Sequence, residues 1–150
     1  MKAIKILILV LLFFSCNEES TQDRTETISD LLNNNIWSVE YFNVNGYSYE
    51  NKRFAFNNDV MQYYLNRIPS AIYSQCYLSV ETNETHSLEE KTDNLMVVHI
   101  NIPEEEARHI FELIDGNIHY TYKEWNNGIY AGQSETTILT LSDLNINVCE

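Results

Sequence analysis

The side chains of this chain best suited to chemistry are three cysteines, Cys16, Cys76 and Cys149, and four histidines, His86, His99, His109 and His119. A cysteine thiolate is a nucleophile, and a histidine moves protons near neutral pH or binds a metal. Their spacing builds no such centre. The chain has no His-Glu-x-x-His, Cys-x-x-Cys or Gly-x-Ser-x-Gly, the arrangements that bring two metal ligands or a nucleophile and its base together. His109 and His119 flank Asp115-Gly116; a two-residue turn there pairs His109 with Tyr122 and His119 with Glu112, sending the imidazoles to opposite faces of a sheet. His99 stands among apolar neighbours and reads as a hydrogen-bonded core histidine. Gly46, Gly116, Gly128 and Gly132 suit turns and make no phosphate loop. Glu104-Glu105-Glu106 lacks the interleaved oxygen ligands of a Ca²⁺ loop and reads as a solvated charge run. The residues therefore predict no enzyme, no metal and no cofactor.

Cys16 is a separate case. Lys2 and Lys5 form a short positive region, and Ile6 to Phe14 is an unbroken apolar run. It is too short to span a bilayer, which needs about 20 apolar residues, and fits the h-region of a secretion signal. The run ends Phe13-Phe14-Ser15-Cys16 and gives way to Asn17-Glu18-Glu19. This resembles the lipobox of bacterial lipoproteins, with Ser15 as the small residue before the cysteine and Phe13 where leucine is usual. The resemblance implies that residues 1–15 are removed and that Cys16 carries the lipid, anchoring the protein to the outer membrane on its periplasmic or cell-surface side. The abundance of asparagine, isoleucine and tyrosine, and the acids after Cys16, are similar to lipoproteins of the Bacteroidetes. Residues 16–27, without a large apolar side chain after Cys16, read as a lipidated disordered tether, and residues 28–150 as one domain.

The whole chain carries a formal charge of −13. Removing residues 1–15 takes two lysines and no acid, which leaves −15. Such a charge excludes nucleic acid and anionic lipid headgroups as electrostatic partners, since both require clustered Lys and Arg. With Cys16 acylated, Cys76 and Cys149 remain. In an oxidising compartment they read as one disulfide worth on the order of 4 kcal/mol. The alternative is two thiols, with Cys76 a small core residue in phase with Ile72, Ser74, Leu78 and Val80.

The domain reads as strand, turn, strand. After one helical turn at Ile28–Leu32 comes an aromatic and β-branched run, Ile36 to Val44, ending at Asn45-Gly46. Asn-Gly between two such runs is a strong hairpin signal. It predicts the pairs Val44 with Tyr47, Phe42 with Tyr49 and Trp37 with Phe54. Further strands are predicted at Val60–Arg67, Ala71–Thr82, Leu95–Ile102, Ile118–Trp125 and Thr136–Ser142, with a loop over the polar residues 83–94. Pro103 to Gly116 fits a short helix by its proline, its glutamates and the spacing of Ala107, Ile110, Phe111 and Ile114, and fits a hairpin across Asp115-Gly116 by its β-branched and aromatic content. The hairpin is preferred, with one short helix near 103–115 as the alternative. The expectation is an all-β fold: eight antiparallel strands in an up-and-down barrel with room for one small ligand.

The segment Leu31-Leu32-Asn-Asn-Asn35-Ile36-Trp37 resembles the first strand of lipocalin-like domains, in which a Gly-x-Trp follows a short helical turn and the Trp packs across the closed end of the barrel. Asn35 stands in place of the glycine. The arginine that lipocalins place near the last strand is missing, the last arginine here being Arg108. A disulfide from the C-terminal end to the barrel is similar to one seen in that family. The resemblance implies a domain binding a small apolar or amphipathic ligand, with Trp37 at the closed end and Tyr64, Phe111, Tyr120 and Tyr122 as lining. The alternative is an interaction or immunity-type lipoprotein with a filled barrel, whose Glu89-Glu90 and Glu104–Glu106 meet a basic protein partner.

Overall fold

The computed structural model describes residues 26–33, 35–44, 46–69, 78–80, 85–102 and 105–142. Cys16, Cys76 and Cys149 lie outside these residues, and so do the expected signal, most of the tether and the disulfide. Helix α1 (Ile28–Asn33) comes first. Thr27 caps it: the Asp30 N–H donates to the Thr27 hydroxyl at 3.2 Å while the Thr27 N–H donates to the Asp30 carboxylate at 3.1 Å. Six residues are too few for a helix to persist alone; α1 holds because Ile28 and Leu32, on one face, are fully buried.

Eleven strands follow among the described residues: β1 (Ile36–Val44), β2 (Tyr47–Asn57), β3 (Val60–Pro69), β4 (Leu78–Val80), β5 (Thr85–Lys91), β6 (Leu95–Ile102), β7 (Glu105–Ile114), β8 (Asn117–Asn126), β9 (Ile129–Gln133), β10 (Thr137–Ile138) and β11 (Thr140–Leu141). The β1–β2 register is the predicted one, with Trp37 opposite Phe54, Phe42 opposite Tyr49 and Val44 opposite Tyr47. Asp115 (φ 50°) and Gly116 (φ 76°) form a two-residue turn of positive φ, and it sets His109 opposite Tyr122 and Glu112 opposite His119. Residues 105–114 are therefore strand, and a helix in that stretch is ruled out.

The strands form two antiparallel sheets, one ordered β11-β1-β2-β3-β4 and the other β10-β8-β7-β6-β5, with β9 also pairing β8. The expected single eight-stranded barrel is corrected on two counts. The run 136–142 is not one strand on one neighbour. Thr137 and Ile138 pair with β8, Thr140 and Leu141 pair with β1, and the buried Leu139 between them donates its N–H to the Ile118 carbonyl at 2.8 Å. This segment stitches the sheets together along one side. On the other side β3 and β5 lie against each other without a ladder between them among the described residues. The second correction is β5 itself, which lies in the expected loop 83–94. Its side chains are nearly all exposed, and one neighbour's backbone is enough to hold a polar strand at a sheet edge, where charge also discourages edge-to-edge aggregation. Of the expected strand 71–82, the described part is β4.

The core lies between the inner faces of the two sheets, at the end that α1 covers. Phe54, Phe56, Met61, Met96, Val98, Phe111, Ile118, Tyr120 and Leu139 are buried there with Ile28 and Leu32. Phe54 is central, its ring centroid 4.8 Å from Tyr120, 5.2 Å from Phe111 and 5.6 Å from Tyr63. Trp37 packs against this cluster and donates its indole N–H to the Leu31 carbonyl at the end of α1 (3.2 Å). Asp59, in the β2–β3 turn, ties the lid down. It accepts from Ser29 at 2.7 Å and from the Asn33 amide at 2.8 Å, and pairs with Lys91 of β5 at 2.5 Å.

Candidate functional site

Away from α1 the same inward face changes character. In β2, the inward positions run Phe56, Phe54, Lys52, Glu50, so two apolar rings give way to two charges on one side of a strand. The hairpin registers set Tyr41, Glu50 and Arg67 in a row across β1, β2 and β3, with Lys52 opposite Leu65. On the facing sheet His109 pairs with Tyr122, and Glu124 with Gly132. These residues, with Tyr63, Gln133 and Ser134, line a cavity of about 500 Å³. Cavities of this size hold drug-sized molecules.

The carboxylate of Glu50 is the buried charge at its centre, 3% exposed. Arg67 Nε donates to it at 2.7 Å, and Lys52 Nζ stands 3.6 Å away. The Arg67 guanidinium also lies over the Tyr47 ring (4.6 Å), and the Lys52 ammonium stands between the rings of Tyr41 (5.2 Å) and Tyr122 (5.3 Å). A buried carboxylate is tolerated only when cations and hydrogen bonds replace its water. Here two cations serve one acid. Glu124, at the exposed mouth, is in water.

Two buried polar atoms in the lining close no well-formed hydrogen bond among the described residues. One is the Tyr41 hydroxyl, which Ser134 and Thr137 approach without closing a well-formed bond. Burial, and then the negative charge of Glu50, push this phenol above its usual range, so it stays protonated. The other is His109 Nε2. His109 Nδ1 is engaged with the Tyr120 hydroxyl at 2.8 Å, and its ring lies against Tyr63 (5.1 Å) and Tyr122 (5.5 Å). Burial, then the charges of His86 and Lys52, hold its pKa well below 6.5, so the imidazole is neutral. A cluster of three metal-ligating side chains is absent among the described residues.

The residues singled out from sequence are dispersed by this geometry. Tyr122 lines the cavity. Phe111 and Tyr120 are fully buried in the packed core, and Trp37 sits beside α1. Tyr64 is corrected: its side chain is 36% exposed on the outer face, beneath Arg53 and bonded to Gln62. Its neighbour Tyr63 faces inward instead, because β3 alternates in phase with Met61 and Leu65. Tyr41, Glu50, Lys52, Arg67 and His109 were missed as lining. The signal for Tyr41, Glu50 and Lys52 was available in the Asn45-Gly46 register, since placing Trp37 opposite Phe54 puts Tyr41 on the face of Trp37 and Lys52 and Glu50 on the face of Phe54. His99, expected in the core, lies on the outer face with Nε2 3.5 Å from Glu106. Arg108 engages both Glu89 (2.6 Å) and Glu106 (2.8 Å), so two of the acids expected to meet a basic partner are already paired.

Comparison with protein-family models, with curated proteins and with solved structures finds no match for this chain.

Proposed function

We propose that this chain is a lipid-anchored binding protein of the cell envelope, whose lipocalin-like β domain holds one small amphipathic molecule between its two sheets. The observation that carries the reading is the division of the inward face. One end is packed solid under α1, while the other keeps a cavity of about 500 Å³ that combines tyrosine rings with buried charge. Apolar walls with a few placed polar groups are the common make-up of small-molecule sites. The short helix closing one end, with Trp37 bonded to it, supports the lipocalin-like comparison. The charged lining narrows the ligand from apolar or amphipathic to amphipathic, because a wholly apolar molecule would displace water from Glu50, Lys52 and Arg67 and offer these charges nothing polar in exchange.

The test is mass spectrometry of small molecules extracted from the full chain purified out of membranes. A co-purified compound near one per protein is expected, and it should be lost in Gly132→Trp. Gly132 lines the cavity and a Cβ there meets nothing within 4 Å, so the position has room for a side chain beside the opening. Bare protein, together with an empty screen of amphiphiles, would overturn the reading. The lipid anchor is tested separately, by Cys16→Ala, which should release the protein from the membrane fraction.

A further inference from the structure

We infer that the ligand of this cavity is an uncharged, hydroxyl-rich ring of the sugar type, its hydroxyls among Glu50, Lys52, Arg67 and the Tyr41 hydroxyl and its C–H face against a tyrosine ring. The inference rests on the binding reading above and deepens it. Its first support is the kind of apolar surface on offer. Among the twelve described lining residues only Leu65 carries an aliphatic side chain. An acyl chain needs aliphatic walls; here it would lie against charges and give them nothing in place of water. A pyranose is amphipathic in another sense, with hydroxyls around its rim and C–H groups on its faces. Tyr41, Tyr63 and Tyr122 supply aromatic rings to the same lining. The negative face of such a ring attracts the slightly positive hydrogens of C–H groups.

The second support is the balance of charge. The described lining holds two acids, Glu50 and Glu124, and two cations, Lys52 and Arg67. Glu50 already answers Arg67 at 2.7 Å and Lys52 at 3.6 Å. A guest with a net charge unbalances this wall whichever its sign. A hydroxyl leaves it balanced: it donates once and accepts twice, so one group serves an acid and a cation of the wall together. Hydrogen bonds to charged partners are also the stronger kind. The third support is the pair of buried lining atoms that close no well-formed bond, the Tyr41 hydroxyl and His109 Nε2. In a neutral imidazole Nε2 donates in one tautomer and accepts in the other, and a hydroxyl meets either. A carboxylate or an ammonium meets only one.

The experiment titrates phenyl glycosides of glucose, galactose, mannose and N-acetylglucosamine calorimetrically into the full chain. The detergent carries no sugar head group, and the micelle titration is subtracted. The tightest glycoside is then compared with its own 6-carboxylate and 6-amine, and with dodecanoic acid. The neutral glycoside is expected to bind tighter than either charged analogue by roughly tenfold or more. Tyr122→Leu, which removes the ring and keeps an apolar side chain, should weaken it several-fold. Glu50→Gln leaves the wall one positive charge in excess and should turn the preference to the carboxylate, while Lys52→Gln should turn it to the amine. A merely structural role for either residue would weaken all three alike. Displacement of the glycoside by the free monosaccharide, or by a hexasaccharide ending in it, supports the inference and tells a free sugar from the end of a chain. If neither displaces it, the phenyl group was the part bound and the sugar inference is overturned. If a charged analogue binds wild type as well as the neutral sugar, or dodecanoic acid binds while no glycoside does, the sugar inference is overturned and the binding reading stands. If nothing binds, both are overturned.

Discussion

Two regions of this molecule are built from the same strands and the same face, and differ only by a step of two residues. Beside α1 the inward side chains are Val39, Phe54 and Tyr120; one inward position further along they are Tyr41, Lys52 and Tyr122. The first set is closed under a helix whose Ile28 and Leu32 are fully buried. The second surrounds open volume and contains Glu50, Lys52 and Arg67. The difference shows that alternation decides which face a residue joins, while composition along the strand decides whether that face is packed or left hollow. His109 marks the border, with one nitrogen on the Tyr120 hydroxyl of the packed half and its ring on the wall of the cavity.

The contrast can be broken most severely at its packed side. Phe54→Ala removes the ring that touches Tyr63, His109, Phe111 and Tyr120, and should cost about 3–5 kcal/mol in denaturant unfolding. A loss below 1 kcal/mol would mean that this end is not the solid half. The border residue should show itself through pH. His109 is held neutral in the folded protein, while in the unfolded chain it takes up a proton below its usual 6.5. Its contribution is therefore complete above pH 6.5 and is lost as pH falls, by roughly 1 kcal/mol per pH unit. His109→Phe should flatten that slope between pH 6.5 and 5, measured as the change in denaturation midpoint.

A smaller effect of the same sign belongs to the lid. Hydrogen bonds from Lys91 and then Ser29 lower the Asp59 carboxyl from 3.8 to about 2. The stability it contributes is present above the unfolded value and is lost as pH falls from about 4 toward 2. After solvent screening it is on the order of 1 kcal/mol. Asp59→Asn should remove that acid-range dependence while leaving ligand affinity untouched. The smallest effect sharpens the rule of faces. Tyr64→Ala should change stability by no more than about 0.5 kcal/mol and leave binding unaltered, whereas Tyr63→Ala, one residue away, should damage both.

Local signals carried much of this architecture. Asn45-Gly46 and Asp115-Gly116 each fixed a long register, because a two-residue turn leaves no freedom in the pairing that follows. β5 was illegible for the opposite reason. Thr85–Lys91 has no buried face to write a period of two into its residues, and it is a strand only because β6 supplies a partner. The two-sheet arrangement was hidden in Thr136–Ser142, a run of seven residues that looks like one strand and serves two neighbours. As for the cavity, aromatic residues were expected to line it, yet Phe111 and Tyr120 fill the core. Charged residues at inward positions marked the hollow half, since a strand tolerates Glu50 and Lys52 on its buried side only where something polar surrounds them.

The bridging segment around Leu139 has a kinetic consequence. Each sheet grows largely from hairpins between chain neighbours, β1 to β3 in one and β6 to β8 in the other, whereas the seam brings together Ser38 and Thr140, which are 102 positions apart. Contacts that close so long a loop form late. The seam should therefore be absent from the folding transition state and act as a latch on the finished domain: Leu139→Ala should speed unfolding and leave the refolding limb of the chevron in place. The last described strands would then govern how long the folded protein survives rather than how quickly it forms.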